Sequence, residues 1–106
     1  MGDRGNVILK YNDGNKIYLY THWDGSALRQ TLREALERGR DRWDDEPYIA
    51  RIIFSEMIKN DIDGNTGYGI SPYMGDGGMD INVDLKAKKV GSLSFEEFVS
   101  KSRVKA

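Results

Sequence analysis

Arg51, Tyr68, Tyr73 and Met74 are the side chains of this sequence whose types and spacing suit them to hold a ligand. A guanidinium offers a planar fork of donors to phosphate or carboxylate. Tyrosine rings and a thioether beside glycines offer a flat surface against which a base can stack, with little to stop a close backbone approach. All four lie in or beside one block, Arg42 to Tyr73. In it the acidic run Asp44, Asp45, Glu46 and Pro47 opens an apolar helix carrying Arg51, and the Gly-aromatic segment Thr66-Gly-Tyr-Gly-Ile-Ser71 follows. Two readings of Arg51 stay open. Consecutive helical residues are turned by about 100°, so it can face water, or it can stand at the edge of a pocket. Tyr68 likewise reads either as strand packing or as a stacking platform.

Other chemistry is excluded by missing partners. Asp61, Asp63 and Asn65 have the spacing of a calcium loop, but Thr66 stands where the turn glycine belongs and Pro72 where a bidentate glutamate belongs, so no metal is expected. The glycines around Tyr68 follow a helix and lack the G-x-G-x-x-G spacing of a dinucleotide fold. The chain has one histidine, His22, and no cysteine. No nucleophile and base can therefore be assembled from histidine or cysteine, and no serine sits in a G-x-S-x-G elbow. The expectation is a binding protein with no catalytic residues and no cofactor.

The elements that must position these residues read as an α+β fold. An N-terminal β-hairpin comes first, with strands Val7 to Tyr11 and Lys16 to His22 around the turn Asn12-Asp-Gly-Asn15. Both faces of the hairpin are bulky, one suited to a helix and the other to a partner. Two consecutive helices follow. Ser26 is the expected N-cap of the first, from about Ala27 to Arg38, with Leu28, Leu32, Ala35 and Leu36 as its apolar stripe. The second starts at Pro47 and carries Ile49, Ile52, Ile53, Phe54, Met57 and Ile58 as the central core helix. Two or three further antiparallel strands are expected: a short one at Tyr68 to Ser71, then, past the mobile loop Gly75-Asp-Gly-Gly78, the clean alternation of Met79 to Leu85, with Lys86 to Val90 as a continuation or a further short strand. Ser94 and Glu97 form a capping box for a short C-terminal helix with Phe95, Phe98 and Val99 inside.

Size and composition set the outer bounds. The 106 residues make one domain, and 31% charged with 39% hydrophobic residues is a globular balance. With 16 basic and 17 acidic residues the net charge is only -1, so no global field draws DNA or an anionic membrane, and an anion must be met locally. No run approaches the roughly 20 apolar residues of a membrane span, and nothing near the start reads as a secretory h-region. A cytoplasmic location is expected.

Three segments carry a resemblance: Leu19-Tyr-Thr-His-Trp-Asp-Gly25, Arg42-Trp-Asp-Asp-Glu-Pro-Tyr-Ile-Ala-Arg-Ile-Ile-Phe54 and Thr66-Gly-Tyr-Gly-Ile-Ser71. Their order resembles small proteins encoded by bacteriophages and prophages, over roughly Val7 to Val99. The pattern is similar to the first family of Thoeris anti-defence proteins, sponges that sequester cyclic ADP-ribose signals made by bacterial TIR-domain enzymes. The resemblance implies a homo-oligomer in the host cell cytoplasm that holds a cyclic nucleotide between subunits without turning it over. For such a ligand Trp23, Tyr68 and Tyr73 are the candidate aromatic platforms, Arg51 and Arg103 the candidate forks for a pyrophosphate, and Asn82 the candidate reader of the base edge. The alternative is an accessory protein whose aromatic hairpin face and second helix inhibit a host protein by direct binding.

Overall fold

In the computed structural model, residues 3–74 and 77–105 are described, the last five of them by backbone alone. The β-branched and aromatic runs near the start pair as Gly5–Lys10 (β1) and Lys16–Thr21 (β2), antiparallel, with Val7 opposite Leu19 and Leu9 opposite Ile17. The turn between them closes as its residues predict: the Gly14 N–H donates to the Tyr11 carbonyl at 3.0 Å, and Gly14 takes a φ of 88°. Asp13 accepts from the backbone N–H of Asn15 at 2.9 Å, which holds the loop.

The first helix, Leu28–Arg38 (α1), is entered through a 3-10 turn at Gly25–Ala27, and here the expected cap is corrected. Ser26 does not cap α1. Its backbone N–H and its hydroxyl both donate to the Asp3 carboxylate, while Ala27 occupies the cap position without a side-chain bond. The 3-10 turn carries the chain into the helix instead, with the Ala27 N–H bonded to the Asp24 carbonyl at 3.0 Å. The second helix, Glu46–Ile58 (α2), has Pro47 in its first turn as expected. The acids ahead of it also tie it to its surroundings: Lys88 pairs with Asp44 at 2.8 Å, and Asn12 donates through Nδ2 to Glu46 at 2.9 Å.

Four more strands and a helix complete the chain: Tyr68–Ser71 (β3), Met79–Asp84 (β4), Lys89–Val90 (β5), Leu93–Ser94 (β6) and Phe95–Lys105 (α3). Gly75 and Asp76 of the expected glycine-rich loop lie outside the described residues. The capping box is formed, with the Glu97 N–H donating to Ser94 Oγ at 3.0 Å and the Ser94 N–H to Glu97 Oε1 at 2.9 Å.

The six strands make one sheet in the order β3-β2-β1-β4-β5-β6. Every neighbouring pair is antiparallel but one: β4 returns beside β1 and runs parallel to it, with Val7 level with Ile81 and Leu9 with Val83. One alternating face supplies Val7, Leu9, Leu19, Ile81 and Val83 to a single buried cluster. The helices cover that face with Leu32 and Leu36 of α1, Ile49 and Ile53 of α2, and Phe95 and Phe98 of α3. Each such side chain contributes about 1.5–3 kcal/mol by leaving water. Asn6, Ile8, Tyr18, Tyr20 and Asn82 alternate with the core residues on the opposite face, and none belongs to the cluster. Among the described residues no helix is long and apolar enough to cross a membrane.

Candidate functional site

The residues expected to share a site are scattered over the fold. Trp23 and Tyr68 meet at the end of β2. Gly67, with a φ of 95°, lies directly on the indole: a Cβ there would stand 1.9 Å from Trp23 Nε1. The backbone N–H of Trp23 is held by Thr21 Oγ1 at 3.2 Å, and the His22 ring stands edge-on to the indole at 4.9 Å. The Tyr68 hydroxyl donates to the Asp24 carboxylate. Burial first, and then the Asp24 carboxylate, push the Tyr68 pKa up to about 12, so this phenol stays a donor through the neutral range. The close approach invited by the glycine beside Tyr68 is made by the protein's own backbone against Trp23. The indole keeps half of its surface exposed.

Asn82 lies on the other face of the sheet, level with Ile8, where a small cavity of about 210 Å³ also meets Lys10 and Lys16. Tyr73 is exposed just past β3. Arg103 belongs to α3, and its side chain lies outside the described residues. Among the described residues, the two hollows that Arg51 lines include neither Tyr68 nor Tyr73. Arg51 stands on α2 between them.

The first hollow, about 440 Å³, is lined by Arg42, Tyr48, Arg51 and Ile52. The 3-10 turn at Arg40–Arg42 ends just before α2 and sets Arg42 over the Tyr48 ring, its guanidinium carbon 5.0 Å from the centroid. Tyr48, Arg51 and Ile52 fall at i, i+3 and i+4 of α2, and so share one side of the helix. The Tyr48 ring is 54% exposed. The other arginines nearby are committed. Arg38 donates to Glu56 at 3.0 Å, Arg40 pairs with Glu37 and Glu96, and Arg33 donates to the Phe98 carbonyl at 3.2 Å. Among the described residues, Arg42 and Arg51 have no carboxylate partner. Two guanidiniums without a carboxylate partner, one of them over the Tyr48 ring, can clamp a phosphate while a flat group stacks on the exposed part of that ring.

Arg42 and Tyr48 are not among the ligand-binding residues expected from the sequence. The signal that could have found them is the pair Tyr48 and Arg51, three apart on a helix whose start was already marked by Pro47. The second hollow, about 420 Å³, opens on the other side of Arg51 and is almost wholly apolar, with Leu19, Phe54, Ile58 and Ile70 in its walls. No group of three or more metal-ligating side chains stands together among the described residues. No known protein family, curated protein or solved structure matches this chain, so the functional reading rests on the chemistry of the site.

Proposed function

We propose that the protein binds a cyclic nucleotide signal, a cyclic ADP-ribose isomer or a cyclic oligonucleotide, and sequesters it without turnover as a phage anti-defence protein in the host cell cytoplasm. The observation that supports this is the hollow in which Arg42, Tyr48 and Arg51 stand together. A stacked base on Tyr48 contributes about 1–3 kcal/mol, and each charge-assisted bond to a phosphate oxygen a similar amount. Lys88 holds Asp44 and Asn12 holds Glu46, so two of the three acids at the α2 entry have partners of their own. A homo-oligomer would close the exposed side of this hollow with a second copy.

Calorimetry with cyclic ADP-ribose isomers and cyclic oligonucleotides tests the reading. Saturable binding is expected for at least one of them, with the ligand recovered intact after the protein is denatured. Tyr48→Ala and Arg42→Gln should each weaken it by roughly tenfold or more, the equivalent of about 1.4 kcal/mol. No heat with any probe from a protein that is folded by circular dichroism would overturn it, and recovery of a cleaved ligand would overturn the absence of turnover. Sedimentation reports the oligomer, since a strict monomer removes pockets between subunits.

The second reading is inhibition of a host protein by direct contact. It is favoured by Ile62 and Ile70, 71% and 60% exposed beside the edge strand β3. It expects silent calorimetry with every nucleotide, together with a host-protein cross-link that Ile70→Lys abolishes.

A further inference from the structure

We propose that the apolar cleft between α2 and the β2–β3 side of the sheet is a second binding site, adjoining the first hollow and sharing Arg51 with it, for a small amphipathic anion with its apolar body in the cleft and its carboxylate on Arg51. At about 420 Å³ the cleft has the size of a ligand pocket, which falls in the range of roughly 300–1,000 Å³. Its walls come from both layers: Leu9, Leu19 and Ile70 from the sheet, Phe54 and Ile58 from α2, with Ile62 beyond the helix end.

Its polar side chains are few: Tyr11, Arg51 and Ser55. The Ser55 hydroxyl donates to the Ile52 carbonyl at 2.9 Å and accepts from Arg38 Nη2 at 2.8 Å. The Tyr11 phenol is kept protonated by burial and by the nearby Glu46 carboxylate, both of which raise its pKa. Arg51 is the charged lining residue, no carboxylate lines the cleft, and none pairs with Arg51 among the described residues. An apolar channel with one unspent cation at its side is complementary to an apolar chain or ring that ends in an anion.

The same charge argues against a second copy of the chain as the occupant. A symmetric contact across this cleft would bring the same lining from each side, and that lining supplies no carboxylate to either Arg51. A carboxylate-bearing ligand supplies one and covers the exposed Ile62 and Ile70.

The site goes beyond the nucleotide reading and fails separately from it, because Arg42 and Tyr48 lie on the other flank of Arg51. The probes are decanoate, below its micellar concentration, and decanol, titrated into the full chain by calorimetry. Decanoate should bind saturably with one site per chain, and decanol roughly tenfold more weakly for want of the charged head. Arg51→Gln should lower decanoate affinity to that of decanol and leave decanol unchanged. Ile70→Asn, at an exposed position where folding is little at risk, should weaken both. Tyr48→Ala should leave decanoate binding intact, so that loss of the nucleotide site and loss of the cleft site give different patterns. Three results would overturn the proposal: no saturable binding of decanoate to the folded chain, equal decanoate affinity in Arg51→Gln, or self-association that Ile70→Asn abolishes, which would assign the cleft to a second copy.

Discussion

Two glycines flank Tyr68, and they have different reasons to be there. Gly67 sits in the left-handed region against the Trp23 indole, where a methyl group has neither the backbone conformation nor the space. Around Gly69, by contrast, a Cβ would meet nothing within 4 Å. Gly67→Ala should therefore cost about 2–4 kcal/mol, while Gly69→Ala should stay within about 0.5 kcal/mol of the parent. Urea midpoints followed by tryptophan fluorescence separate the two, and equal midpoints would contradict the contact. Trp23 and Tyr68 thus hold the end of β2 to the start of β3, through the Gly67 contact, the Asp24 bond and the His22 N–H, which donates to the Gly67 carbonyl at 2.8 Å. That local closure accounts for the glycine-aromatic signature without a ligand. Arg42, Tyr48 and Arg51, on and just before α2, have no carboxylate partner or buried bond of this kind among the described residues.

At the level of elements, α1 and α2 are joined by a buried charge as well as by apolar packing. Glu56 of α2 accepts from Arg38 of α1 at 3.0 Å and from Lys59 at 2.6 Å. Burial pushes its carboxyl pKa up, but the bonds from Lys59 and Arg38 outweigh that and hold it below the ordinary value of 4.5. The folded pKa lies below the unfolded one, so the stabilisation is fully present above pH 4.5 and is lost as pH falls through the folded value. Glu56→Gln should cost about 1–3 kcal/mol at neutral pH, and the loss relative to the parent should shrink on acidification below the unfolded pKa. Denaturation of both proteins across that range checks it, and a penalty independent of pH would count against the ionic role. Arg38 and Lys59 are thereby committed to structure, which leaves Arg51 of the same helix available to a ligand.

Across the whole molecule, the parallel pair β1 and β4 forms the centre of the sheet, with β3 and β6 at its edges. Amide exchange should be slowest in Val7 to Leu9 and Ile81 to Val83 and fastest among the strands in β3 and β6, which each lack a neighbour on one side. Uniform protection across the six strands would show that the sheet opens only as a unit. Most elements were legible in the chain, because they are written in local terms: the Asn12-Asp-Gly-Asn15 turn, the apolar stripe of Leu28, Leu32 and Leu36, Pro47 at a helix start, the alternation of Met79 to Leu85, and the Ser94 and Glu97 box; the two-residue strand Leu93–Ser94 was not, because it is defined only by its pairing with β5. Ser26 was misread as a cap because its partner, Asp3, is 23 residues away. The place of β4 beside β1 was illegible for the same reason, since alternation says which residues share a face but not which strand lies alongside. Residue types alone gave the inventory: one histidine, no cysteine, and several arginines and aromatic rings. Only the packed chain decided which of those arginines are spent on Glu56, Glu96 and Phe98, and which two remain beside an open ring, because a charge is committed by what the fold brings within about 3–4 Å of it, and that distance is not a property of sequence spacing.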